Sequence, residues 1–280
     1  GLFRYGAWVG AGVSIIFLSQ NADVFIGGRI IHRASDIGFY TTCWSLAFIG
    51  AGIFATVTTS IVFPTLSRLQ DDRRRLTEKL LGAFRLLAFV TLPGAALLAS
   101  LAPVMIVPLL GEKFAPYRSS FLVLSILAVY AGNRTLLWIF FEGYKSVGRP
   151  WLVPAYNAVK LAIIVPTMIW GAQHGIIGLA VAYLPIQAIE IPAAVLLASR
   201  VLDFSPGQVW RAARAPIITA GLTAGSAIAL ELVFLGVLHA GDLATLAVSA
   251  SVGVLAYLGA VLAVDRDAIQ EARTLLVRGL

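Results

Sequence analysis

Long apolar runs separated by short charged segments dominate the hydrophobic pattern of this chain. Residues 39–63 and residues 86–111 contain no Asp, Glu, Lys or Arg. About 20 helical residues are needed to cross the ~30 Å hydrocarbon core of a bilayer, so each run is long enough to span it. The charged segment between the two runs is therefore predicted to be a loop that connects two transmembrane helices.

The same pattern continues to the end of the chain and predicts about eight transmembrane helices. They cover residues 3–28, 38–63, 84–101 (or as far as 110), 117–141, 151–170, 176–199, 215–238 and 243–264. The connections are short and leave no room for a domain outside the membrane. Because helices satisfy their own backbone hydrogen bonds in lipid, the predicted fold class is an all-α polytopic membrane helix bundle. Residues 265–280 are predicted to form a short amphipathic tail on the cytoplasmic side.

Composition supports the membrane class and argues against a nucleic-acid-binding protein. The chain is 59% hydrophobic and only 12% charged, whereas soluble domains contain about 25% charged residues. The net charge of +7 arises from basic residues in short loops between apolar runs. Such residues are better explained as determinants of membrane topology than as a nucleic-acid patch. The single cysteine, Cys43, lies in an apolar run and is interpreted as a small packing residue.

The distribution of Lys and Arg predicts the orientation of the chain. Short loops rich in these residues stay in the cytoplasm. If the Arg73 loop is cytoplasmic, 15 basic residues lie inside, 4 lie outside, and both ends of the chain are cytoplasmic. The inside residues are Arg4, Arg68, Arg73, Arg74, Arg75, Lys79, Arg85, Lys145, Arg149, Arg200, Arg211, Arg214, Arg266, Arg273 and Arg278, and the outside ones are Arg29, Arg33, Lys113 and Arg118.

Signatures of an enzyme, a metal site or a bound cofactor are missing from the sequence. The three histidines, His32, His174 and His239, fall in three different predicted outer loops, without the spacing of metal ligands. No nucleophile elbow and no glycine-rich phosphate loop followed by a lysine occurs. The chain is therefore expected not to be an enzyme and to hold no metal or cofactor.

Two basic residues fall inside predicted helices, where a charge costs about 2.5–3.5 kcal/mol and marks a candidate functional residue. Lys160 lies nine residues after Trp151, or ~14 Å into its helix. Tyr156 and Asn157 precede Lys160 by four and three residues and share its face. Arg134 lies seven residues before the predicted end of its helix, about 10 Å from the inner interface, with Tyr130 one turn away. The predicted substrate-binding residues are Arg134, Lys160, Tyr130, Tyr156 and Asn157.

Acidic residues in the helices could neutralise these cations or bind a coupling ion. Glu190 lies near the middle of the sixth predicted helix with Gln187 one turn before it, and Asp23 lies toward the outer end of the first with Gln20 nearby. The residue pattern does not distinguish a charge partner from a site for a coupling proton or sodium ion.

Several short segments together resemble a known family of membrane transporters. They are residues 23–28 (DVFIGG), 36–40 (DIGFY), 62–67 (VFPTLS), 92–93 (LP) and 109–114 (LLGEKF). Their order and spacing resemble the polysaccharide (O-antigen type) flippase branch of the multidrug/oligosaccharidyl-lipid/polysaccharide exporter superfamily. The resemblance covers residues 3–150 well, and the rest of the chain by helix spacing only.

This resemblance implies an architecture of two six-helix lobes around a central cavity, often with two extra helices at the C-terminus, as in MATE-like transporters. Residues 1–199 are then expected to form the second lobe, residues 200–264 the two extra helices, and residues 265–280 the tail. The first lobe is absent, and the chain begins with Gly1 rather than Met. We therefore interpret it as the C-terminal half of a longer protein, with the missing N-terminal lobe as a partner.

The function implied by the resemblance is translocation of a lipid-diphosphate-linked oligosaccharide, on a carrier such as undecaprenyl diphosphate. It would occur across the bacterial inner membrane during synthesis of surface polysaccharide such as the O-antigen of lipopolysaccharide. Lys160 and Arg134 would face the anionic diphosphate, and transport could be coupled to sodium, protons or the membrane potential. The alternatives are a multidrug/cation antiporter of the same superfamily, which favours an acidic pocket, and a membrane glycan polymerase or ligase, which needs a sizeable outer loop.

Overall fold

The fold is a bundle of helices, seen in a computed structural model that describes residues 2–57, 60, 62–236 and 241–264. Side chains are described for residues 10–49, 60, 62–234 and 241–263. The helices are α1 (Leu2–Ile30), α2 (Ala34–Val57), α3 (Phe63–Ser67), α4 (Arg73–Leu110), α5 (Leu122–Ser146), α6 (Leu152–Ala172), α7 (Gly175–Val181), α8 (Tyr183–Leu202), α9 (Pro206–Gly236) and α10 (Asp242–Val264), with a 3₁₀ helix at Glu112–Ser120. None of these described residues forms a β-strand.

Seven helical spans in the described part of the chain are long and apolar enough to cross a membrane. They correspond to α1, α4, α5, α6, α7 with α8, α9 and α10. The 24-residue helix α2 is not among them, because its side chains are described only as far as Ile49. The predicted all-α polytopic membrane helix bundle is confirmed. The predicted tail, residues 265–280, lies outside the described residues.

The charged segment after residue 63 is mostly helical, so the prediction of a loop reaching residue 84 is wrong. The short helix α3 and a turn occupy its beginning, and α4 already starts at Arg73. Asp72 caps α4 by accepting a hydrogen bond from the backbone N–H of Arg75 at 3.1 Å. Arg74 and Glu78 form an exposed ion pair one turn apart. Leu76 and other apolar residues of this segment are buried against other helices. Hydropathy averaged along the sequence does not detect such long-range packing.

Several further helix boundaries differ from the prediction, among them the start of α9, which lies at Pro206 rather than at residue 215. Helix α5 starts at Leu122, after the 3₁₀ helix, and continues to Ser146 rather than ending at residue 141. Gly143 lies in this extension, and a β-carbon there would lie 2.7 Å from Leu80 Cδ1, so the glycine lets α4 approach α5 closely. The sixth predicted helix is divided into α7 and α8 at Ala182. Pro185 provides no N–H for the carbonyl of Val181, which weakens a continuous helix at this point.

Helix α5 is the centre of the bundle. In its most apolar window 61% of the residues are buried, a larger share than in the other six spans. One apolar core surrounds its first half together with α2, α6, α7 and α8. A second core surrounds its other half together with α3, the start of α4 and the end of α8. Side chains in the middle of α5 therefore face neighbouring helices from several sides.

The connection before α5 is fixed to α2 at the predicted outer end of the bundle. The Tyr117 hydroxyl donates a 2.6 Å hydrogen bond to Asp36 Oδ1, and the rings of Tyr117 and Phe39 stack with centroids 4.6 Å apart. This hydrogen bond would be lost on ionisation, so it raises the pKa of Tyr117 above its ordinary value. Arg118 forms an ion pair with Asp242 at the start of α10. These contacts hold three segments together at one end of the molecule.

Helices α9 and α10 pack together against α4. Leu101, Val104 and Ala227 form a small separate core between α4 and α9, and Leu246 and Ala250 of α10 pack on it. At the other end of α4, the Thr77 hydroxyl donates a 2.8 Å hydrogen bond to the carbonyl of Leu202. The domain boundaries at residues 199 and 264 stay predictions.

Cysteine labelling tests the predicted orientation. With Cys43 replaced by Ala, single cysteines are placed at Ser35, Gln70, Arg149 and Gln173, all of which are exposed. An impermeant thiol reagent added to intact cells is expected to label positions 35 and 173 only, because the basic loops stay in the cytoplasm. Permeabilised cells, in which all four positions should react, are the control. Labelling of position 70 in intact cells would contradict the orientation.

Candidate functional site

A buried ion pair joins α6 to α8 near the middle of both helices. Lys160 Nζ lies 2.5 Å from Glu190 Oε1, and the two side chains are only 8% and 7% exposed. Lys160 also donates a 3.2 Å hydrogen bond to the hydroxyl of Tyr130 on α5. Tyr156 donates a 3.3 Å hydrogen bond to the backbone carbonyl of Glu190. Lys160 is therefore neutralised by Glu190 and is not a free cation.

Arg134 is a second cation in the same region. It lies twelve residues from each end of α5, about 18 Å from either end. Arg134 therefore lies further from the end of its helix than the seven residues predicted, because α5 continues to Ser146. The guanidinium carbon lies 5.4 Å from the ring centroid of Phe48 and 5.9 Å from that of Tyr130. In the part of the chain with described side chains, no group forms a hydrogen bond or an ion pair with Arg134.

Aromatic side chains surround Arg134 and connect it to the ion pair. Tyr130 and Tyr183 have ring centroids 4.0 Å apart, and Trp44 stacks on Phe48 at 4.4 Å. The Trp44 ring also lies within about 6 Å of both tyrosine rings. Tyr130 therefore touches Lys160 through its hydroxyl and Arg134 through its ring. An aromatic face attracts a cation, which stabilises the guanidinium away from water.

Asp23 is a buried carboxylate near this cluster. It is 1% exposed, and the Tyr40 hydroxyl donates a 2.7 Å hydrogen bond to its Oδ2. Its Oδ1 is buried with no hydrogen-bond partner among the described residues. Arg134 is near enough to feel the charges of Asp23 and Glu190, but it forms no direct ion pair with either. Asp23 is thus not the partner of Lys160, and one of its oxygens remains free to accept a proton or a ligand.

Two of the three amide side chains predicted for the site, Asn157 and Gln187, form hydrogen bonds with neighbouring helices. Asn157 accepts a 3.1 Å hydrogen bond from Ser19 and donates one of 2.8 Å to the carbonyl of Val153, which ties α6 to α1. Gln187 accepts a 2.6 Å hydrogen bond from Asn133, which ties α8 to α5. Gln20 is half-buried and forms no hydrogen bond with the described residues. Asn157 and Gln187 therefore connect neighbouring helices.

The structure brings together five of the nine residues predicted for the site. Tyr130, Arg134, Tyr156, Lys160 and Glu190 form one connected group on α5, α6 and α8. Asp23 lies within electrostatic range of it, and among the described residues no hydrogen bond or ion pair joins Asn157, Gln187 or Gln20 to this group. Sequence reasoning missed Tyr40, Trp44, Phe48 and Tyr183, which complete the aromatic cluster. No sequence signal distinguishes them, because aromatic residues at helical spacing are common in any apolar core.

Among the described residues, no group of three His, Cys, Asp or Glu side chains is arranged to hold a metal ion. The cluster instead offers a guanidinium, a neutralised lysine, four hydroxyls and a buried carboxylate. Its chemistry suits the binding of an anion at Arg134. A guanidinium can donate two parallel hydrogen bonds to a phosphate or a carboxylate. Without such a ligand, these N–H donors would need water as their acceptor.

Comparison with known proteins places the chain near polysaccharide biosynthesis. Residues 1–119 match a family model described as "Polysaccharide biosynthesis protein". A protein from Klebsiella pneumoniae described as "Uncharacterized membrane protein in cps region" is 24% identical over 177 residues, which is 62% of this chain and 35% of that protein. The chain thus matches about a third of the length of this relative. No solved structure matches the chain. The seven apolar spans and the similarity to a membrane protein support a multi-pass membrane protein.

Proposed function

We propose that this chain is one lobe of a flippase that moves a lipid-diphosphate-linked oligosaccharide across the bacterial inner membrane. The observation that carries the proposal is the Arg134 guanidinium at the midpoint of α5, which has no hydrogen bond or ion pair among the described residues. A cation left without an acceptor in the interior of a membrane protein costs several kcal/mol and marks a functional site. A diphosphate provides both the negative charge and the oxygen acceptors that Arg134 lacks.

The other members of the cluster have separate roles in this proposal. The ion pair between Lys160 and Glu190 holds α6 against α8, and the hydrogen bond from Lys160 fixes the position of Tyr130. The Tyr130 ring in turn forms a cation–π contact with Arg134. Lys160 then acts on the substrate through Tyr130 and not by direct contact. Asp23, with its unpartnered Oδ1, is the carboxylate best placed to take up a coupling proton or sodium ion. The charged Asp23 carboxylate also attracts the Arg134 guanidinium and so competes with the phosphate for it. Binding of a proton or sodium ion at Asp23 is therefore linked to the binding and release of the substrate.

Surface-polysaccharide synthesis supports a flippase over the alternatives. The family that the sequence resembles moves a glycan on a lipid diphosphate from one leaflet of the membrane to the other, which requires a carrier for an anionic lipid. A drug or cation antiporter favours an acidic pocket, whereas here Glu190 is paired with Lys160, and the other buried carboxylate, Asp23, lies in range of the positive charge of Arg134. A polymerase or ligase would have to act on the glycan outside the hydrocarbon region, whereas the unpaired cation lies at the middle of a span.

Binding selectivity tests this proposal. The purified chain in nanodiscs is expected to bind a synthetic undecaprenyl-diphosphate disaccharide and not the lipophilic cation tetraphenylphosphonium, because the free charge at the site is positive. Equilibrium binding with radiolabelled ligands measures both, and mass spectrometry of the recovered disaccharide checks that it is not extended. Preferential binding of the cation, or extension of the glycan, would replace the flippase with one of the alternatives.

The same preparation tests whether one lobe is sufficient. In vesicles, this chain alone is expected to bind the lipid-linked glycan without moving it, because alternating access needs two halves that move against each other. Loss of a fluorescent inner-leaflet signal that depends on this chain alone would contradict the two-lobe architecture.

A further inference from the structure

A buried carboxyl group lies where α9 and α10 pack together on α4, apart from the cluster around Arg134. Glu231 is 8% exposed and lies on α9, five residues, or about 8 Å, before the end of the helix. Among the residues with described side chains, none forms an ion pair or a hydrogen bond with Glu231. By the predicted orientation, this end of α9 lies near the outer side of the membrane. The proposed function gives Glu231 no role.

A close contact between Ala227 and Gly253 sets the register of α10 against α9. A β-carbon on Gly253 would lie 3.8 Å from that of Ala227. The two helices are joined by a short segment and pack as an antiparallel pair. One step of four residues from this contact, toward the end of α9 and toward the start of α10, leads to Glu231 and Ser249. Because the step covers ~6 Å on both helices, these two residues lie at the same level of the bundle.

Ser249 provides a free hydroxyl at the level of Glu231. Its side chain is fully buried, and its Oγ has no hydrogen-bond partner among the described residues. The exposed Ser251 on the same helix, in contrast, donates a 2.7 Å hydrogen bond to the carbonyl of Ala247. A buried polar group without a partner destabilises the fold, so a hydrogen bond to Ser249 would stabilise this interface.

The two helices that pack on Glu231 offer it no positive charge. The apolar part of α4, residues 86–110, contains no titratable side chain. The titratable residues of α10 are Asp242, which is paired with Arg118, and Tyr257. Neither can neutralise an ionised carboxylate, because one is an acid and the other a phenol.

Helix α8 contacts α9 at the opposite end of α9. Val201 and Leu202 share an apolar core with Val209, which precedes Glu231 by about six turns. The exposed Arg200 next to this core is therefore far from Glu231. A charge without a partner is costly in the hydrocarbon region, so the interface favours the protonated, neutral form of the carboxyl group.

We propose that Glu231 is a proton-binding site, with Ser249 as the hydrogen-bond acceptor of its protonated form. The carboxylate takes up a proton from the outer side, and the resulting O–H donates to Ser249 Oγ. In this form α9 and α10 pack on α4 with both buried groups satisfied. Loss of the proton leaves a charge and a free hydroxyl in the interface and loosens it. The site does not depend on the function proposed for Arg134.

Infrared spectroscopy of the full chain in nanodiscs tests the site, because a protonated carboxyl group and a carboxylate absorb at different frequencies. At neutral pH, Glu231→Gln is expected to remove a contribution to the protonated-carboxyl band. Glu112→Gln, which changes an exposed glutamate, is the matched control and should leave the band unchanged. Ser249→Ala should move the contribution to the higher frequency of a carboxyl group without a hydrogen bond. Ser251→Ala, on the exposed face of α10, should not.

Three results would overturn the proposal. The first is a band that neither Glu231→Gln nor Ser249→Ala changes. The second is a Glu231→Gln variant that does not accumulate in the membrane, because glutamine closely replaces a neutral carboxyl group but cannot replace a carboxylate. The third is a pair of carboxylate bands, assigned to Glu231, that change with sodium concentration, since these would identify a sodium site instead.

The pH dependence of thermal unfolding provides a second test. A carboxyl group that keeps its proton in the packed bundle and loses it more readily in the unfolded chain makes the bundle less stable as the pH rises. Glu231→Gln cannot lose this proton, so its unfolding temperature should equal that of the unmodified chain at acidic pH and exceed it at alkaline pH. Pyrophosphate binding at Arg134 should not change. The same pH dependence in both proteins would contradict the proposal and leave the anion site unaffected.

Discussion

Arg134→Gln is expected to abolish diphosphate binding without lowering the amount of folded protein. The guanidinium has no hydrogen bond or ion pair among the described residues, so its removal leaves no group unpaired. Its loss removes two charge-assisted hydrogen bonds to phosphate, each worth about 1.5–3 kcal/mol, so binding of pyrophosphate should fall at least 100-fold. Arg134→Lys keeps the charge but not the paired donors and should retain part of the affinity.

The measurement combines equilibrium binding by the purified variants with their abundance in the membrane. Arg149→Gln is the matched control, because Arg149 is an exposed arginine in the loop between α5 and α6. It should bind pyrophosphate as the unmodified chain does. If Arg134→Gln binds the anion normally, or is lost from the membrane as a misfolded protein, then Arg134 is not the anion site.

Lys160→Ala is expected to have the opposite effect and to destabilise the fold. It leaves Glu190 buried without its partner, which typically costs about 3–5 kcal/mol. The protein should therefore become scarce in the membrane and unfold at lower temperature. The double change Lys160→Gln with Glu190→Gln removes both charges and leaves an amide that can still donate to Tyr130. It should restore abundance and most of the diphosphate binding.

This prediction separates the two roles considered for Lys160. If Lys160 contacts the diphosphate directly, Lys160→Ala should leave abundance near normal and remove binding, and the neutral double variant should remain inactive. The double change Lys160→Leu with Glu190→Leu is a further control, because it is neutral but offers no donor to Tyr130. This leucine variant should fold. If the lysine acts by positioning Tyr130, the leucine variant should bind the diphosphate more weakly than the glutamine variant does.

The sequence alone determined the class of the protein and most of its membrane segments. Apolar runs of more than 20 residues are a local property, and the bilayer or a buried core selects a helix for them wherever they occur. The predicted helices at residues 151–170 and 243–264 differ by two residues or fewer from α6 and α10. Ionisable residues inside such runs are equally visible, so Arg134, Lys160, Glu190 and Asp23 could all be selected as candidates without a structure.

Only the tertiary structure decided how these residues are paired. From the sequence, Asp23 and Glu190 were both possible partners for either cation. The packing of α6 against α8 pairs Glu190 with Lys160. Arg134 is left without an acceptor among the described residues. The helical start of α4 at Arg73 and the extension of α5 to Ser146 likewise depend on burial against other helices. The aromatic cluster of Trp44, Phe48, Tyr130 and Tyr183 draws on three helices. Hydropathy and spacing describe one segment at a time, whereas pairing, depth and access to a charge are set by contacts between segments distant in the sequence.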